Sequence, residues 1–199
     1  MSADQPAAGP DVIVNPLSGE RITITATGTD TGSVLEWELL LAPGGRVPSS
    51  HAHPEQEELF TVLEGRMRFR VGGRLITAGP GDTVLVPPGT VHHFANAGPQ
   101  PARVAVQTWP ALSMLQLLET AAAMAQAQHA AARRLPSPVD LALFMHDFER
   151  EVRAPYLPAA LVRAVTRPAA WLAGRLGLDA RYRRLRERAG RAPKPSAGR

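Results

Sequence analysis

The feature that most constrains the fold is a series of short apolar segments, separated by turn residues, that fills the chain before Pro110. These segments are rich in Val, Thr and Ile and predict β-strands. They are RITITAT, SVLEWELLLAPGG, LFTVLEG, RMRFRVGG, RLITAGPGD, TVLVPPG and ARVAVQTW. Gly72 and Gly73 stand between RMRFRV and RLIT, which predicts a two-residue hairpin turn. Short, evenly spaced strands without helical patterns between them favour a β-sandwich or a small barrel.

After Pro110 the pattern becomes helical. ALSMLQLLETAAAMAQAQHAAARR predicts a first helix, and DARYRRLRERAGR predicts a short basic one at the end. VDLALFMHDFEREVR predicts a second helix, whose apolar face at helical spacing consists of Leu141, Phe144, Phe148 and Val152. PAALVRAVTRPAAWLAGRLGL predicts a third helix that Pro168 divides into two pieces. Its apolar face consists of Leu161, Val165, Leu172 and Leu176.

Composition and charge exclude several classes of protein. The chain has 199 residues, 44% of them hydrophobic, which is enough to bury a core. It has no cysteine, which excludes disulfides, thiolate metal sites and cysteine nucleophiles. Neither a secretory signal nor an apolar run of membrane-spanning length is visible, so a cytoplasmic location is expected.

Positive charge is concentrated at the C-terminal end. Residues 163–199 carry 11 Lys and Arg against Asp179 and Glu187, which leaves +9 there and −5 elsewhere within a total of +4. Such an end can favour phosphate or anionic lipid, although a solvated face and a frayed tail are the more common explanation.

The stretch HAHPEQEELFTVLEG, residues 51–65, carries the first group of chemically active side chains. Successive side chains of a strand alternate between its faces, so His51 and His53 point the same way. PEQE predicts a turn, and a hairpin there would bring Glu58 across towards the two rings. Imidazole nitrogen and carboxylate oxygen together suit Fe, Mn, Ni, Cu or Zn.

A second stretch, GDTVLVPPGTVHHFAN, adds a third imidazole. His92 shares strand parity with Phe94 and Asn96, so His92 is expected to face inward while its neighbour His93 faces outward.

Together the two stretches resemble the paired signature motifs of the cupin superfamily, whose members are small jelly-roll barrels. The positions that carry the likeness are Gly45, His51, His53, Glu58 and Gly65, followed by Gly81, Pro87, Gly89, His92 and Asn96. The 15 residues between Gly65 and Gly81 match the short gap that is usual in bacterial members.

The resemblance implies an all-β jelly-roll (cupin) barrel over residues 11–110. The helical part, residues 111–190, is similar to the C-terminal extensions of some single-domain bacterial cupins. Residues 1–10 and 191–199 are predicted to be disordered. The resemblance also implies a single divalent metal ion inside the barrel, of undetermined identity, with four ligands: His51, His53, Glu58 and His92.

Some assignments stay open. Glu57 is an alternative ligand to Glu58, and His93 is expected to be exposed or to lie behind the ligands. His129 and His146 lie in helical patterns without paired ligands, which favours surface or structural roles. Strand parity suggests pocket walls that it cannot distinguish from an ordinary core: Phe60, Met67, Phe69, Val84, Val86 and Phe94.

Quercetinase-like and related dioxygenases of the superfamily use this ligand set. The resemblance therefore favours a mononuclear-metal dioxygenase-type oxidoreductase acting on a small phenolic or enolic compound, with Glu58 as ligand and catalytic base. One alternative is a redox-neutral isomerase, cyclase or lyase that uses the ion as a Lewis acid. A non-catalytic small-molecule-binding cupin is a further alternative, although an intact ligand set argues against it.

The expected partner is a small-molecule substrate. No helix-turn-helix pattern is visible, so nucleic acid is not expected as a partner. A homodimer that covers exposed strand edges stays open. Arg163, Arg167 and Trp171 could bring the third helix to a membrane surface, but packing on the barrel or on a second subunit is the favoured interpretation.

Overall fold

The computed structural model describes residues 12–27, 33–47, 49–133, 135–155 and 157–189. The two predictions of terminal disorder, for residues 1–10 and 191–199, fall outside this part of the chain. Within it the structure contains nine strands followed by four helices.

The strands form two antiparallel sheets that enclose a common interior. The strands are β1 (Val12–Asn15), β2 (Glu20–Thr27), β3 (Leu35–Leu41), β4 (Glu57–Glu64), β5 (Met67–Val71), β6 (Arg74–Ala78), β7 (Thr83–Val86), β8 (His92–Asn96) and β9 (Ala102–Trp109). The larger sheet has the order β1-β2-β3-β9-β4-β7, and the smaller one has the order β6-β5-β8. The predicted hairpin is present, because Val71 pairs with Arg74 across Gly72 and Gly73.

Burial alternates along the strands, as expected for sheets with one face on a core. In β9 the buried positions are every second residue from Ala102 to Thr108. Phe60 from one sheet meets Phe69 and Phe94 from the other, with ring centroids 5.3 and 5.4 Å away. Gly65 has a φ of +80°, and a Cβ there would lie 2.8 Å from the Ala102 backbone, so this turn requires glycine.

The helices are α1 (Met114–Ala130), α2 (Pro138–Asp147), α3 (Ala159–Arg175) and α4 (Ala180–Ala189). Met114, Leu117 and Phe148 belong to the same buried cluster as the barrel interior. The predicted β-barrel with a helical extension is therefore confirmed, and the two parts share a core. The division of the chain at residue 110 stays a prediction.

Two helix predictions were wrong in detail. Helix α2 ends at Asp147, so Phe148 and Val152 are not on the helix that the spacing predicted. Phe148 is fully buried in the shared core, and Arg153 pairs with Ala52 by two backbone hydrogen bonds of 2.8 and 3.2 Å. These tertiary contacts outweigh the local preference for helix. Helix α3 was expected to be divided, but it runs without interruption through Pro168.

Candidate metal centre

The two histidine-bearing stretches meet as neighbouring backbone segments. His51 and His92 are antiparallel partners, joined by hydrogen bonds from His92 N to His51 O (2.8 Å) and from His51 N to His92 O (3.1 Å). The segment from Arg46 to His51 thus lies beside β8 of the smaller sheet. The expected hairpin between this segment and Glu58 was wrong, because β4 pairs with β7 and β9 of the larger sheet.

Glu58 therefore approaches the histidines across the barrel interior. It is 3% exposed and its Oε2 lies 3.2 Å from both His53 Nε2 and His92 Nε2. Glu57, the alternative ligand, is only partly buried and has the opposite strand parity. The structure brings together all four residues that the sequence analysis selected, and it brings Glu58 rather than Glu57 to the cluster.

The ring orientation of each histidine is fixed by a backbone carbonyl. Nδ1 of His51 contacts Ser49 O at 3.1 Å, and Nδ1 of His92 contacts Thr90 O at 3.0 Å. Nδ1 of His53 contacts Glu151 O by a short hydrogen bond. A carbonyl can only accept, so each Nδ1 carries the proton and each Nε2 is left with its lone pair when the ring is neutral. This is the tautomer that a metal ligand requires.

The histidine nitrogens and the Glu58 oxygen that could bind an ion have the spacing of a ligand set. One ligand nitrogen from each of His51, His53 and His92 lies within 4.8 Å of the others. Two ligands about 2.1 Å from one ion and at right angles to each other are about 3 Å apart, close to the 3.2 Å between Glu58 Oε2 and two of the imidazoles. His92 Nε2 is buried and forms no well-directed hydrogen bond within the described residues. The four side chains therefore fit one divalent cation.

The surroundings of the cluster shift the pKa values of His51, His53 and Glu58 in different ways. Burial, together with the neighbouring rings of His53 and His92, lowers the pKa of His51 to about 3. Burial also opposes the charged form of His53, but the Glu58 carboxylate and the Glu151 carbonyl outweigh it and raise the pKa of His53. Burial alone would raise the pKa of Glu58, but contact with His53 and His92 holds it well below its usual value. In the absence of an ion, a proton on His53 is thus stabilised by ionised Glu58.

Two contacts at the centre were not predicted from the sequence. The Thr108 hydroxyl donates to Glu58 Oε1 at 3.4 Å and accepts a hydrogen bond from Trp37 Nε1 at 3.3 Å. The Glu151 carbonyl comes from the turn after α2, far along the chain from His53. Thr108 could have been noticed as a polar residue at a buried parity position of β9. No sequence pattern indicates the Glu151 carbonyl, because any residue supplies one.

The centre lies at the side of an apolar cavity of about 190 Å³ between the barrel and α1. Its walls include Trp37, Phe94, Leu117 and Val152, with His51, His53 and Glu58 at one side. Of the predicted pocket walls, Phe94 is one of the lining residues. The other predicted walls are buried in the general core: Phe60, Met67, Phe69, Val84 and Val86.

Glu20 is a second carboxyl group on the wall of this cavity. Its Oε2 accepts hydrogen bonds from the Ser18 hydroxyl at 2.5 Å and from the Asn15 amide at 3.2 Å. Burial raises the pKa of Glu20, and these two hydrogen bonds oppose that shift without cancelling it. The sequence analysis did not select this residue.

The other histidines lie away from the cluster. His93 is partly buried, with Nδ1 3.0 Å from the Ser50 hydroxyl. His129 is exposed in the last turn of α1, and His146 lies in the last turn of α2. Among the described residues the one group of three or more potential ligands of this kind is His51, His53 and His92.

The fold and the site together define a class of protein: an antiparallel two-sheet barrel with an internal cluster of three imidazoles and a carboxylate. Residues 37–108 match the family model of the cupin domain. Residues 37–108 therefore form a cupin domain, as the two motifs suggested.

The chain is similar to several known proteins over part of its length. It is 30% identical over 73 residues to "Uncharacterized protein MJ1618" of Methanocaldococcus jannaschii, which covers 37% of this chain and 58% of that protein. It is 29% identical over 89 residues to "Polyketide synthase CurC" of Streptomyces cyaneus, which covers 45% of this chain and 54% of that protein. The chain thus spans little more than half the length of these relatives.

Among solved structures, KdgF from Halomonas sp. is similar to this chain at 20% identity and a TM-score of 0.45. The similarity covers 50% of this chain and 86% of the KdgF chain.

Proposed function

We propose that the protein is a metal-dependent cupin enzyme, a mononuclear-metal dioxygenase acting on a small phenolic or enolic compound. The observation that carries the proposal is the convergence of one ligand nitrogen from each of three histidines at the side of an apolar cavity, with the Glu58 carboxylate 3.2 Å from two of the imidazoles. In this proposal the ion is held by His51, His53, Glu58 and His92 and is Fe, Mn, Ni, Cu or Zn. A bound redox-capable ion would supply Lewis acidity towards an oxygen donor and a centre for the reaction with O₂.

The cavity residues act on the substrate in two ways. The apolar walls, including Trp37, Phe94 and Leu117, exclude water and favour a flat, apolar ring. A dry cavity of about 150 Å³ is known to accept benzene, so about 190 Å³ suits a molecule of about one ring. Similarity to a protein named polyketide synthase supports a phenolic or enolic substrate of this kind.

Glu58 is proposed as both ligand and base. Its contacts with His53 and His92 hold its pKa well below the usual range, so the group is ionised, as a metal ligand must be. The same contacts make it a weak base, so in this proposal it takes up a proton only when it leaves them. The Thr108 hydroxyl on Oε1 leaves Oε2 directed at the two imidazoles.

Glu20 favours one alternative, a redox-neutral isomerase, cyclase or lyase. Such reactions move protons between substrate atoms and need an acid as well as a base. Burial raises the pKa of Glu20, so this group retains a proton to higher pH than an exposed glutamate does. Glu20 and Glu58 line the same cavity, with pKa values shifted in opposite directions.

Elemental analysis of the purified protein, followed by O₂ uptake with single-ring phenols and enols, tests the proposal. The expected result is about one equivalent of a redox-capable metal and substrate-dependent O₂ loss. Glu20→Gln should leave O₂ uptake largely intact if the enzyme is a dioxygenase and should abolish turnover in a proton-transferring enzyme.

Three other results would change the conclusion. Metal without O₂ uptake, together with turnover that depends on Glu20, would favour the redox-neutral alternative. Stoichiometric metal with tight ligand binding and no turnover would favour a non-catalytic small-molecule-binding cupin. A protein that takes up no metal after reconstitution would refute the proposed centre. A cytoplasmic location and a homodimer also remain predictions.

A further inference from the structure

Helix α3 presents its large apolar side chains outward. Leu161, Val165, Leu172 and Leu176 are 52, 61, 49 and 61% exposed, and we call this set the α3 apolar face. At 100° per residue the four positions fall within one narrow stripe along the helix. Leu157 and Leu178, just beyond the helix ends, are 48 and 55% exposed and extend the same kind of surface.

A different side of α3, about 100° around the helix from the apolar face, contains the buried contacts, and they are made by small residues. Thr166 and Ala173 are 7 and 4% exposed, and Ala173 belongs to the cluster that includes Leu143 of α2 and Tyr182 of α4. A surface helix of a globular protein normally buries its large apolar residues and exposes its polar ones. In α3 the large residues are exposed and the small ones are buried. A continuous apolar surface of this kind marks an interaction site.

The charges of α3 and α4 indicate what binds at the α3 apolar face. Helix α3 contains Arg163, Arg167 and Arg175 and no acidic residue. Arg175 lies next to the apolar stripe, whereas Arg163 and Arg167 lie on the far side of the helix, where Arg167 pairs with Glu149 at 3.1 Å. Trp171 is 63% exposed, and the guanidinium of Arg175 lies 5.0 Å from its ring centre. Arginine next to exposed tryptophan and leucine is typical of helices that lie at the boundary between lipid headgroups and acyl chains.

The neighbouring helix α4 contains five arginines and Glu187. Arg184 and Arg188 lie outside the ion pairs that the other three form with aspartates: Arg181 with Asp140, Arg183 with Asp179, and Arg186 with Asp147.

We propose that the α3 apolar face binds the surface of an anionic lipid bilayer, with the helix lying along the membrane and Arg175 and Trp171 among the headgroups. No described helix combines the length and the apolar character needed to span a membrane, so the contact is with the bilayer surface. This binding extends beyond the proposed enzyme activity and does not depend on the metal centre.

Other occupants fit the observations less well. In a symmetric dimer through this face, Arg175, which lies next to the apolar stripe, would meet a second α3 that has no acidic residue to pair with it. Segments of this chain outside the described residues offer little apolar surface. Residues 1–11, 28–32 and 190–199 contain a single large apolar side chain, Met1.

Sedimentation of the full-length protein with lipid vesicles tests the proposal. We expect binding to vesicles of equal parts phosphatidylglycerol and phosphatidylcholine, weaker binding to pure phosphatidylcholine, and a decrease as salt rises. The double variant Leu161→Glu/Leu172→Glu should bind about tenfold or more weakly, since it places two charges in the apolar stripe. The matched control is Leu75→Glu/Leu85→Glu, which adds the same charges at exposed leucines of the barrel (63 and 49% exposed) and should bind as the unmodified protein does.

Several results would overturn the proposal. These are absence of sedimentation with phosphatidylglycerol vesicles, equal loss of binding in both double variants, and equal binding to both vesicle types. A dimer seen by light scattering that dissociates in Leu161→Glu/Leu172→Glu, without any vesicle binding, would identify a second copy of the chain as the occupant. Circular dichroism of each variant verifies that the helices are retained.

Discussion

The barrel and the helical extension contribute to the candidate centre in different ways. The barrel part of the chain supplies every proposed ligand, at positions set by β4, β8 and the segment before β4. The extension supplies no ligand, yet the Glu151 carbonyl fixes the ring of His53 and α1 forms one wall of the cavity. The motifs of a cupin barrel therefore select the ligands, and in this chain the extension completes their surroundings.

The turn after α2 is the structural link between the two parts. The Glu151 carboxylate accepts a hydrogen bond from Ser113 N at 3.0 Å, just before α1, while the Glu151 carbonyl accepts one from His53. Two residues later, Arg153 pairs with Ala52, which lies between two of the histidines. A displacement of this turn would therefore also shift the imidazole rings.

The largest expected effect comes from removing a ligand of the barrel. His92→Ala should lower metal affinity more than about 100-fold, which exceeds the usual effect of losing a residue behind a ligand. Isothermal titration calorimetry with Zn²⁺ or Co²⁺ measures the change. His93→Ala is the matched control, since His93 contacts Ser50 and is outside the cluster. Retained stoichiometric metal in His92→Ala would refute the ligand assignment.

An intermediate effect is expected from the extension. Arg153→Pro removes the N–H that donates to Ala52 O and should lower metal affinity about 10- to 100-fold by freeing the turn that holds His53. Arg153→Ala keeps that backbone hydrogen bond and should have little effect. The same titration, with circular dichroism to verify folding, compares the two variants. Equal affinity in both would mean that the extension does not support the centre.

The smallest expected effect is that of a change of one pH unit, which tests the pairing of His53 with Glu58. The pKa of His53 is raised, so metal must displace a proton, and affinity should rise about tenfold per pH unit up to that raised pKa. Stability that the metal-free protein gains from this proton is present below histidine's ordinary pKa and is lost as pH rises through the raised value. Calorimetry in buffers of different ionisation enthalpy counts the protons released. A flat affinity profile from about pH 5 to 8 would contradict a centre with three histidines.

Much of the barrel could be predicted from the sequence because strand periodicity and turn residues are local signals. The apolar segment ARVAVQTW predicted strand β9, and Gly72-Gly73 predicted the turn between β5 and β6. Residue types at fixed spacing also selected the four side chains that the structure brings together. The same parity failed to separate cavity from core, because a wall and a packed interior show an identical alternation.

Most of the strands, the helical character of the second half and the candidate ligands follow from the sequence, since these depend on side-chain type and short-range spacing. Strand β1 (Val12–Asn15) was not predicted. The tertiary structure alone decided that β4 faces the histidines from the opposite sheet, because strand pairing is a long-range contact. It alone decided that α2 ends at Asp147, because burial of Phe148 and pairing of Arg153 with Ala52 outweigh helix propensity. It also decided that the α3 apolar face is exposed, since periodicity identifies an apolar face without indicating what covers it.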